Sequence, residues 1–170
     1  TMRSRLEDLI GIGIPTSRLG MMLQFSSTRN AGGREGLRPL GKWLDVNGGA
    51  TAGFESLLKQ NSGVATLTGS QSFSVGTTLN GGTLDVAGAL ETPSVNLADN
   101  VTLNVDGSLQ GAGGAAATIT GSAGANTLTV GAGGHLVASG DLGGGDDVLD
   151  VAGTLDTGGG TFALGDGDDT

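Results

Sequence analysis

Short runs in which apolar and polar residues alternate fill the chain from residue 63 onward. One phrase occurs in four copies: TLDVAGAL at residues 83–90, TLNVDGSL at 102–109, TLTVGAGGHL at 127–136 and VLDVAGTL at 148–155. In each copy a Leu and a Val stand two apart with a polar residue between them, and a second Leu follows a small turn. Alternation with period two, in runs bounded by glycine, predicts half-buried β-strands. Four copies of one phrase indicate a repeat architecture.

The spacing of the copies predicts how these strands pack. Their first leucines are 19, 25 and 21 residues apart, and about 20 residues at roughly 3.3 Å per strand residue form one coil of three short strands and three turns. Stacked coils bury the thin apolar faces that isolated hairpins leave in water. The predicted fold is therefore all-β, a right-handed parallel β-helix of about five coils over residues 61–170. Its predicted inner ladders are Leu84, Leu103, Leu128 and Leu149; Val86, Val105, Val130 and Val151; and Leu90, Leu109, Leu136 and Leu155.

Residues 1–60 lack this period and are predicted to form an irregular, basic N-terminal segment. Residues 2–14 begin as a short helix that two glycines and a proline end. Residues 18–42 combine a few apolar side chains with a loop rich in Gly and Arg, and Trp43 is expected to pack as a lid over the first coil. The segment is either a cap on the open strand edge, which would otherwise invite pairing, or the end of an upstream region.

Charge divides the chain at the same boundary. Residues 1–60 hold all eight Lys and Arg with five acidic residues, a net charge of +3, whereas residues 61–170 hold twelve acidic residues and no Lys or Arg, a net charge of −12. A surface without basic residues cannot neutralise phosphates, so nucleic acid is excluded as a partner of the rod. The strong acidic balance favours solubility instead.

Composition limits the fold class further. Glycine supplies 35 residues and aromatic side chains only 3%, which argues against a core built on large rings, and the apolar residues are mostly Leu, Val and Ala. The longest apolar run, residues 9–15, is far shorter than the roughly 18–20 residues that cross a bilayer, and no transmembrane segment is predicted. The chain has no cysteine and therefore no disulfide framework.

Residues 66–111 also carry a resemblance to a known family. They are similar, in order and spacing, to the passenger-associated repeat of bacterial autotransporters, the proteins of type V secretion. The sequence departs from the repeat at Ala87, where Asn is common, and at Asp99 and Asn100, where small residues are usual, and residues 1–50 do not resemble it. The matching positions are turn glycines, ladder residues and their polar neighbours: Leu67, Gly69, Phe73, Gly76, Thr77, Thr78, Asn80, Gly81, Gly82, Thr83, Leu84, Val86, Gly88, Leu90, Val95, Leu103, Gly107 and Leu109.

The resemblance implies a parallel β-helix and also a location. It implies part of the secreted passenger of a Gram-negative autotransporter, held at the bacterial cell surface by a C-terminal outer-membrane β-barrel outside this chain. Passengers of this type act as stems and adhesins that bind host surface or serum proteins, including complement factors, and are often virulence factors. Two alternatives stay open: a β-helical stem downstream of an autotransporter hydrolase domain, and a calcium-binding secreted repeat protein.

The acidic turns near residue 150 form the candidate binding site. Residues 143–150, GGGDDVLD, match most of the calcium nonapeptide G-G-x-G-x-D-x-U-x, and residues 165–169 begin the same pattern. Calcium takes about six to eight oxygen ligands, which makes Asp146, Asp147, Asp168 and Asp169 the candidate ligands. The two copies are 22 residues apart, one coil length, whereas the turns of a calcium β-roll recur every nine residues. Structural turns and a weak calcium site are both compatible with this pattern, and no other cofactor is expected.

The sequence shows no catalytic constellation. His135 is the only histidine, and neither a G-x-S-x-G motif nor a second His accompanies it. It is expected to be a solvated turn residue. The glycine tracts at residues 111–114 and 143–145 lack the Lys and the helix of a phosphate-binding loop, and are predicted to be turns. The chain itself is therefore not expected to be an enzyme.

Overall fold

The structure, a computed structural model, describes residues 22–25 and 51–170, and for residues 22–25 and 51–54 it describes the backbone alone. The described residues form fifteen strands and a 3-10 turn at Ala112–Gly114, with no α-helix among them. The strands are β1 Met22–Phe25, β2 Thr51–Lys59, β3 Val64–Leu67, β4 Ser70–Leu79, β5 Thr83–Val86, β6 Ala89–Glu91, β7 Ser94–Leu97, β8 Thr102–Val105, β9 Ser108–Gln110, β10 Ala117–Ser122, β11 Thr127–Val130, β12 His135–Gly143, β13 Val148–Val151, β14 Thr154–Asp156 and β15 Phe162–Ala163.

A five-stranded parallel sheet contains the strands that open the four copies of the repeat. Its order is β13, β11, β8, β5 and β3, so strands from successive coils lie side by side. Leu103 is paired with Leu84 on one side and with Leu128 on the other, and Leu128 is paired with Leu149. The valines of the second ladder follow the same register. The predicted all-β parallel solenoid is confirmed.

The burial of these ladders depends on position along the rod. Leu84, Leu103 and Leu128 are completely buried because a coil covers them on both sides. Val151, by contrast, is 39% exposed, since β13 is the edge strand of its sheet in the part of the chain described. The core therefore consists of one layer of inward side chains per coil, and the burial of each layer requires the coils on both sides of it.

A ten-stranded parallel sheet forms the other two sides of the solenoid. Its path runs β1, β2, β4, β6, β9, β12, β10 and β7, with β14 and β15 both paired to β12. The third predicted ladder lies here: Leu109 is paired with Leu90 and with Leu136, and Leu136 with Leu155. Each coil thus contributes one strand segment to the five-stranded sheet and two to this one.

Three of the described strands, β2, β4 and β12, have nine or more residues. The strand β4 has 10 residues and β12 has 9. The start of β4 is paired with β6 and its end with β7, so one strand runs through two sides of the solenoid. Gly76, with φ of 155°, lies between the residues of β4 that are paired with β6 and those paired with β7, and Gly140, with φ of 151°, is the first residue of β12 paired with β15. A glycine there lets the strand bend without ending.

The solenoid extends ahead of residue 61, where the sequence pattern placed its boundary. The strand β2 is paired in parallel with β4, with register shifts between Thr51 and Ser56, and β1 is paired with β2. These shifts interrupt the period, so the pattern does not show β2 as a coil strand. The helix expected at residues 2–14, the basic stretch at 18–42 as a whole and the Trp43 lid lie outside the described residues.

Lys59 ends β2 and occupies an inward position that leucines fill in later coils. It is paired with Leu79, which is paired in turn with Leu97. The side chain is buried, and its Nζ donates to the carbonyl oxygens of Gln60 at 3.0 Å, Asn61 at 2.6 Å and Gly81 at 2.8 Å. Burial lowers the pKa of the Lys59 ammonium group. The aliphatic part of the Lys59 side chain thus extends the apolar column, while its ammonium group binds turn carbonyls of two coils.

Candidate functional site at the acidic turns

The four aspartates predicted as calcium ligands lie in two turns that stack directly on each other. The backbone N–H of Asp147 donates to Oδ1 of Asp169 at 2.9 Å, and that of Asp168 donates to Oδ1 of Asp146 at 3.1 Å. The backbone bonds continue the stack, since the N–H of Thr170 donates to the Asp147 carbonyl at 2.9 Å. A separation of 22 residues therefore corresponds to one full coil.

Asn126 extends this arrangement one coil in the other direction. Its N–H donates to Oδ1 of Asp147 at 2.6 Å, while its own Oδ1 accepts from the N–H of Val101 at 3.4 Å. Asn126, Asp147 and Asp169 thus form one column, called the Asx column below, in which each side chain accepts from the backbone of the preceding coil. Sequence reasoning missed Asn126 because it searched for acidic residues. The signal was present, since Asn126 and Asp147 both directly precede a strand of the repeat.

Glycines allow the turns to stack this closely. Gly143 and Gly145 have φ values of 102° and 95°, in the left-handed region that other residues rarely adopt. The backbone therefore requires glycine in the tract that resembles a calcium motif. The turn predicted over residues 143–145 is wrong for its first two residues, because Gly143 ends β12 and Gly144 forms a bridge with Asp166, so that the bend begins at Gly145. The tract at residues 111–114 contains the 3-10 turn.

Asp147 has the least ordinary environment of the four aspartates. The residue is 0% exposed, and its Oδ2 has no hydrogen-bond partner. Burial raises the pKa of the Asp147 carboxyl, the Asn126 N–H acts in the opposite direction, and the carboxylates of Asp169, Asp141 and Asp146 raise it further. A single hydrogen bond to one oxygen does not compensate for the loss of water around a charged carboxyl.

The geometry does not gather the predicted ligands around one point. Asp147 and Asp169 belong to the Asx column, whereas Asp146 and Asp168 are linked separately. Within residues 51–170 no group of three or more Asp, Glu or His side chains has an arrangement that could hold a metal ion. Oδ1 of Asp146, Asp147 and Asp169 already accepts a backbone N–H. The calcium interpretation stays a prediction, and the structural interpretation accounts for the contacts that are present.

His135 lies at the start of β12 on the outer surface. It is exposed and is paired with Ser108 on one side and Thr154 on the other. Its position is that of an ordinary outward residue in the repeat.

Among the described residues, no helix is long and apolar enough to cross a membrane.

Comparison of the chain with protein-family models, with curated proteins and with solved structures gives no match. The resemblance of residues 66–111 to the passenger-associated repeat therefore stays a prediction. Function has to be inferred from the residues and contacts described above.

The Asx column yields a test of its structural role. Replacing Asp169 by alanine removes the acceptor of the Asp147 N–H, and we expect the free energy of unfolding to fall by about 1–3 kcal/mol, the usual cost of leaving a buried donor unpaired. Asp169→Asn is the matched control, because it removes the same charge but keeps an acceptor oxygen. Urea denaturation of both variants measures the difference. Equal stability of the two would show that the hydrogen bond does not hold the turns together.

Proposed function

We propose that this chain is part of a secreted autotransporter passenger, in which the solenoid serves as a rigid stem that displays a binding surface to host proteins. The observation that supports this most is the continuous register of the five-stranded sheet, from β3 to β13. The positions shared with the passenger-associated repeat include buried ladder residues and close-packed turn glycines. Because the shared positions are ones that stack coils, the repeat explains a rigid solenoid, and a role in display does not require a pocket.

The outer surface of the five-stranded sheet suits a display role. The third residue of each strand faces outward, and these residues are paired from coil to coil in one row across the solenoid, called the outer row below. Thr66 Oγ1 donates to Oδ2 of Asp85 at 3.3 Å, so neighbouring coils are also linked from outside. Short side chains lose little conformational entropy when a partner covers them. The outer row consists of Thr66, Asp85, Asn104, Thr129 and Asp150.

Charge narrows the choice of partner. Residues 61–170 hold twelve acidic residues and no Lys or Arg, so a protein surface rich in Lys or Arg is attracted while phosphate-rich surfaces are repelled. We therefore propose host surface or serum proteins with a basic patch as the class of partner. Binding of this kind should weaken as salt concentration rises.

Location is tested in the bacterium that encodes the protein. Antibodies raised against the 170-residue chain should label intact cells, and protease treatment of those cells should remove the label. A cytoplasmic protein is used as the permeability control. Labelling that requires permeabilised cells would contradict the proposed location.

Binding is tested with the immobilised chain, host serum and cultured host cells. A double variant of the outer row, Asn104→Lys and Thr129→Lys, should lose most of the captured protein. The matched control places the same two lysines on another side of the rod, at Thr118 and Thr120 of β10, which are exposed. Equal capture by both double variants would exclude the outer row as the binding surface.

A further inference from the structure

We propose that the outer edge of β3 is a docking surface for residues 43–46 of the same chain, WLDV, which add one more parallel strand to the five-stranded sheet. In the described part of the chain, β3 is the last strand of that sheet. The inference concerns the N-terminal end of the solenoid and is independent of the proposed function.

The path of the chain requires a segment on this side of the solenoid. Phe25, at the end of β1, is paired with Lys59, and Thr51, at the start of β2, is paired with Gln71. Between Lys59 and Gln71 the chain runs through residues 60–70 and forms β3 on the way. Residues 26–50 connect the equivalent positions one coil earlier, so they have to cross the same side, next to β3.

Residues 43–50, WLDVNGGA, repeat the pattern of the coils that follow. Leu44 and Val46 stand two apart around an acidic residue, as in the TLDV of β5. A glycine follows Val46 by two, just as Gly69 follows the last residue of β3 and Gly88 that of β5. Residues 43–50 number eight, compared with seven for residues 64–70 and nine for residues 127–135, which hold the same place in later coils. The segment before Thr51 thus has the length and the order of a coil side.

The glycine after the strand is a requirement of stacked coils. A Cβ at Gly88 would overlap the carbonyl oxygen of Gly69, and a Cβ at Gly107 would overlap that of Gly88. Gly48 precedes Gly69 by one coil length of 21 residues. The sequence therefore supplies a residue without a side chain where the preceding coil has to approach the turn after β3.

Burial at the two edges of the five-stranded sheet supports a cover over β3. At the edge formed by β13, Val151 is 39% exposed, since no strand lies beyond it in the described part of the chain. At the edge formed by β3, Ala65 and Leu67 are only 3% and 1% exposed. The strand β2 lies over the other sides of this coil, and residues 43–46 supply the cover on the side of β3.

The side chains of β3 fit this occupant in one register. Val64 is 48% exposed, and Trp43 at the neighbouring position provides an aromatic residue beside a β-branched one, a combination that packs well on a sheet. Ala65 stands in a ladder whose other members are leucines, so Leu44 next to it fills the space that the small side chain leaves. The proposed pairs are Trp43 with Val64, Leu44 with Ala65, Asp45 with Thr66 and Val46 with Leu67.

The backbone of the repeat indicates which amides the added strand binds. The N–H of Thr83, at the start of β5, donates to the Gly63 carbonyl of the preceding coil at 3.1 Å, and the first residue of β8 donates to its own preceding coil at 3.0 Å. Alternate residues of a parallel strand donate in the same direction. The equivalent N–H groups of β3 are those of Val64 and Thr66, and both are expected to donate to the added strand.

Paired cysteines test the register in the full chain, which has no cysteine of its own. Asp45→Cys combined with Thr66→Cys places two thiols on one face of neighbouring strands, at about 4.8 Å between strands, a separation that a disulfide spans. We expect mild oxidation to link most molecules internally. Leu44→Cys combined with Thr66→Cys is the matched control, because the two side chains belong to opposite faces, and it should link few.

The cross-linking result also distinguishes the other occupants of the edge. Equal linkage in the two double variants would mean that residues 43–46 are not held in this register. Disulfide-linked dimers of the Asp45→Cys, Thr66→Cys variant would assign the edge to a second copy of the chain. Either result would overturn the proposal.

Hydrogen exchange measured by NMR tests the cover over β3 without depending on a disulfide. In the unaltered chain, the amides of Val64 and Thr66 should exchange as slowly as those of β5. Val46→Lys places a charge on the inner face and should accelerate both amides by about tenfold or more, because a buried charge without a partner expels the strand. Asp45→Lys, one residue away on the outer face, should leave them slow. Fast exchange of both amides in the unaltered chain, or equal rates in the two variants, would contradict the docking.

Discussion

Replacing Leu103 by alanine should lower the free energy of unfolding by about 2–5 kcal/mol. Leu103 is fully buried in the middle of its ladder, between Leu84 and Leu128. The substitution removes apolar atoms and leaves a cavity that the two adjacent coils cannot fill, because their backbones are held in place by the strand pairing on either side. In a solenoid each coil contacts only its neighbours, so damage at a central coil weakens two interfaces.

Leu149→Ala is the matched control for this prediction. Leu149 belongs to the same ladder but is only partly buried, and it is covered on one side by Leu128. We expect a distinctly smaller loss, because less apolar area returns to water. Denaturation by urea with circular dichroism measures both variants, and an unchanged m value shows that the same unit unfolds. Equal losses at the two positions would contradict the layered core described here.

Replacing Gly107 by alanine should lower the free energy of unfolding by about 3 kcal/mol or more, because overpacking of this severity lies at the upper end of the usual range. Gly107 lies in the turn between β8 and β9, and a Cβ built there would overlap the carbonyl oxygen of Gly88 in the coil below, with the Ala87 carbonyl oxygen only 2.8 Å away. Both contacts are backbone atoms of a hydrogen-bonded turn: the N–H of Gly107 itself donates to the Val86 carbonyl at 2.8 Å. The coils would have to separate to admit a methyl group.

Gly133→Ala is the control for Gly107. A Cβ at Gly133 meets only the Asp106 carbonyl oxygen, at 3.6 Å, which is an ordinary contact. Its φ is not in the left-handed region, so alanine should be tolerated there and can even stabilise the chain by about 0.4–1 kcal/mol through the unfolded state. Thermal melts of the two variants provide the comparison. A Gly107→Ala variant as stable as Gly133→Ala would mean that the coils are not stacked at this turn.

Leu103 and Gly107 represent two different sources of stability in the solenoid. The Leu103 result depends on apolar contact between side chains of successive coils, whereas the Gly107 result depends on the absence of a side chain where backbones meet. The Asx column adds a third source, hydrogen bonds from side chain to backbone. A solenoid built from these three elements needs few large side chains, in accordance with an aromatic content of 3%.

The inward ladders could be predicted from the sequence because their information is local and repeated. A period of two places Leu84 and Val86 on the same face of one strand, and the second copy of the phrase places Leu103 and Val105 likewise. Once a coil length is known, the pairing of Leu84 with Leu103 follows without reference to other parts of the chain. The four copies support the same register, because a shift of one residue in any coil would move its apolar side chains from the inner face to the solvent-exposed face.

Other features depended on contacts between coils, and the sequence pattern did not reveal them. Lys59 looks like an outward residue because it is charged, but three carbonyls of neighbouring turns bind its ammonium group inside the rod. The sequence pattern does not indicate β2, because the shifts in its register against β4 interrupt the period. The aspartates resemble calcium ligands in sequence, whereas hydrogen bonds to backbone amides of adjacent coils explain three of them.

The sequence by itself thus determined the strands of the four repeat copies, the coil length and the residues of the inner ladders, because alternation and repetition are properties of the chain taken a few residues at a time. The tertiary structure alone decided where the solenoid begins among the described residues, that Asn126 joins Asp147 and Asp169 in one column, and that Oδ2 of Asp147 is buried without a partner. These outcomes depend on which backbone groups the neighbouring coil brings within hydrogen-bond distance, and residues some 20 positions apart determine that only after the chain has folded.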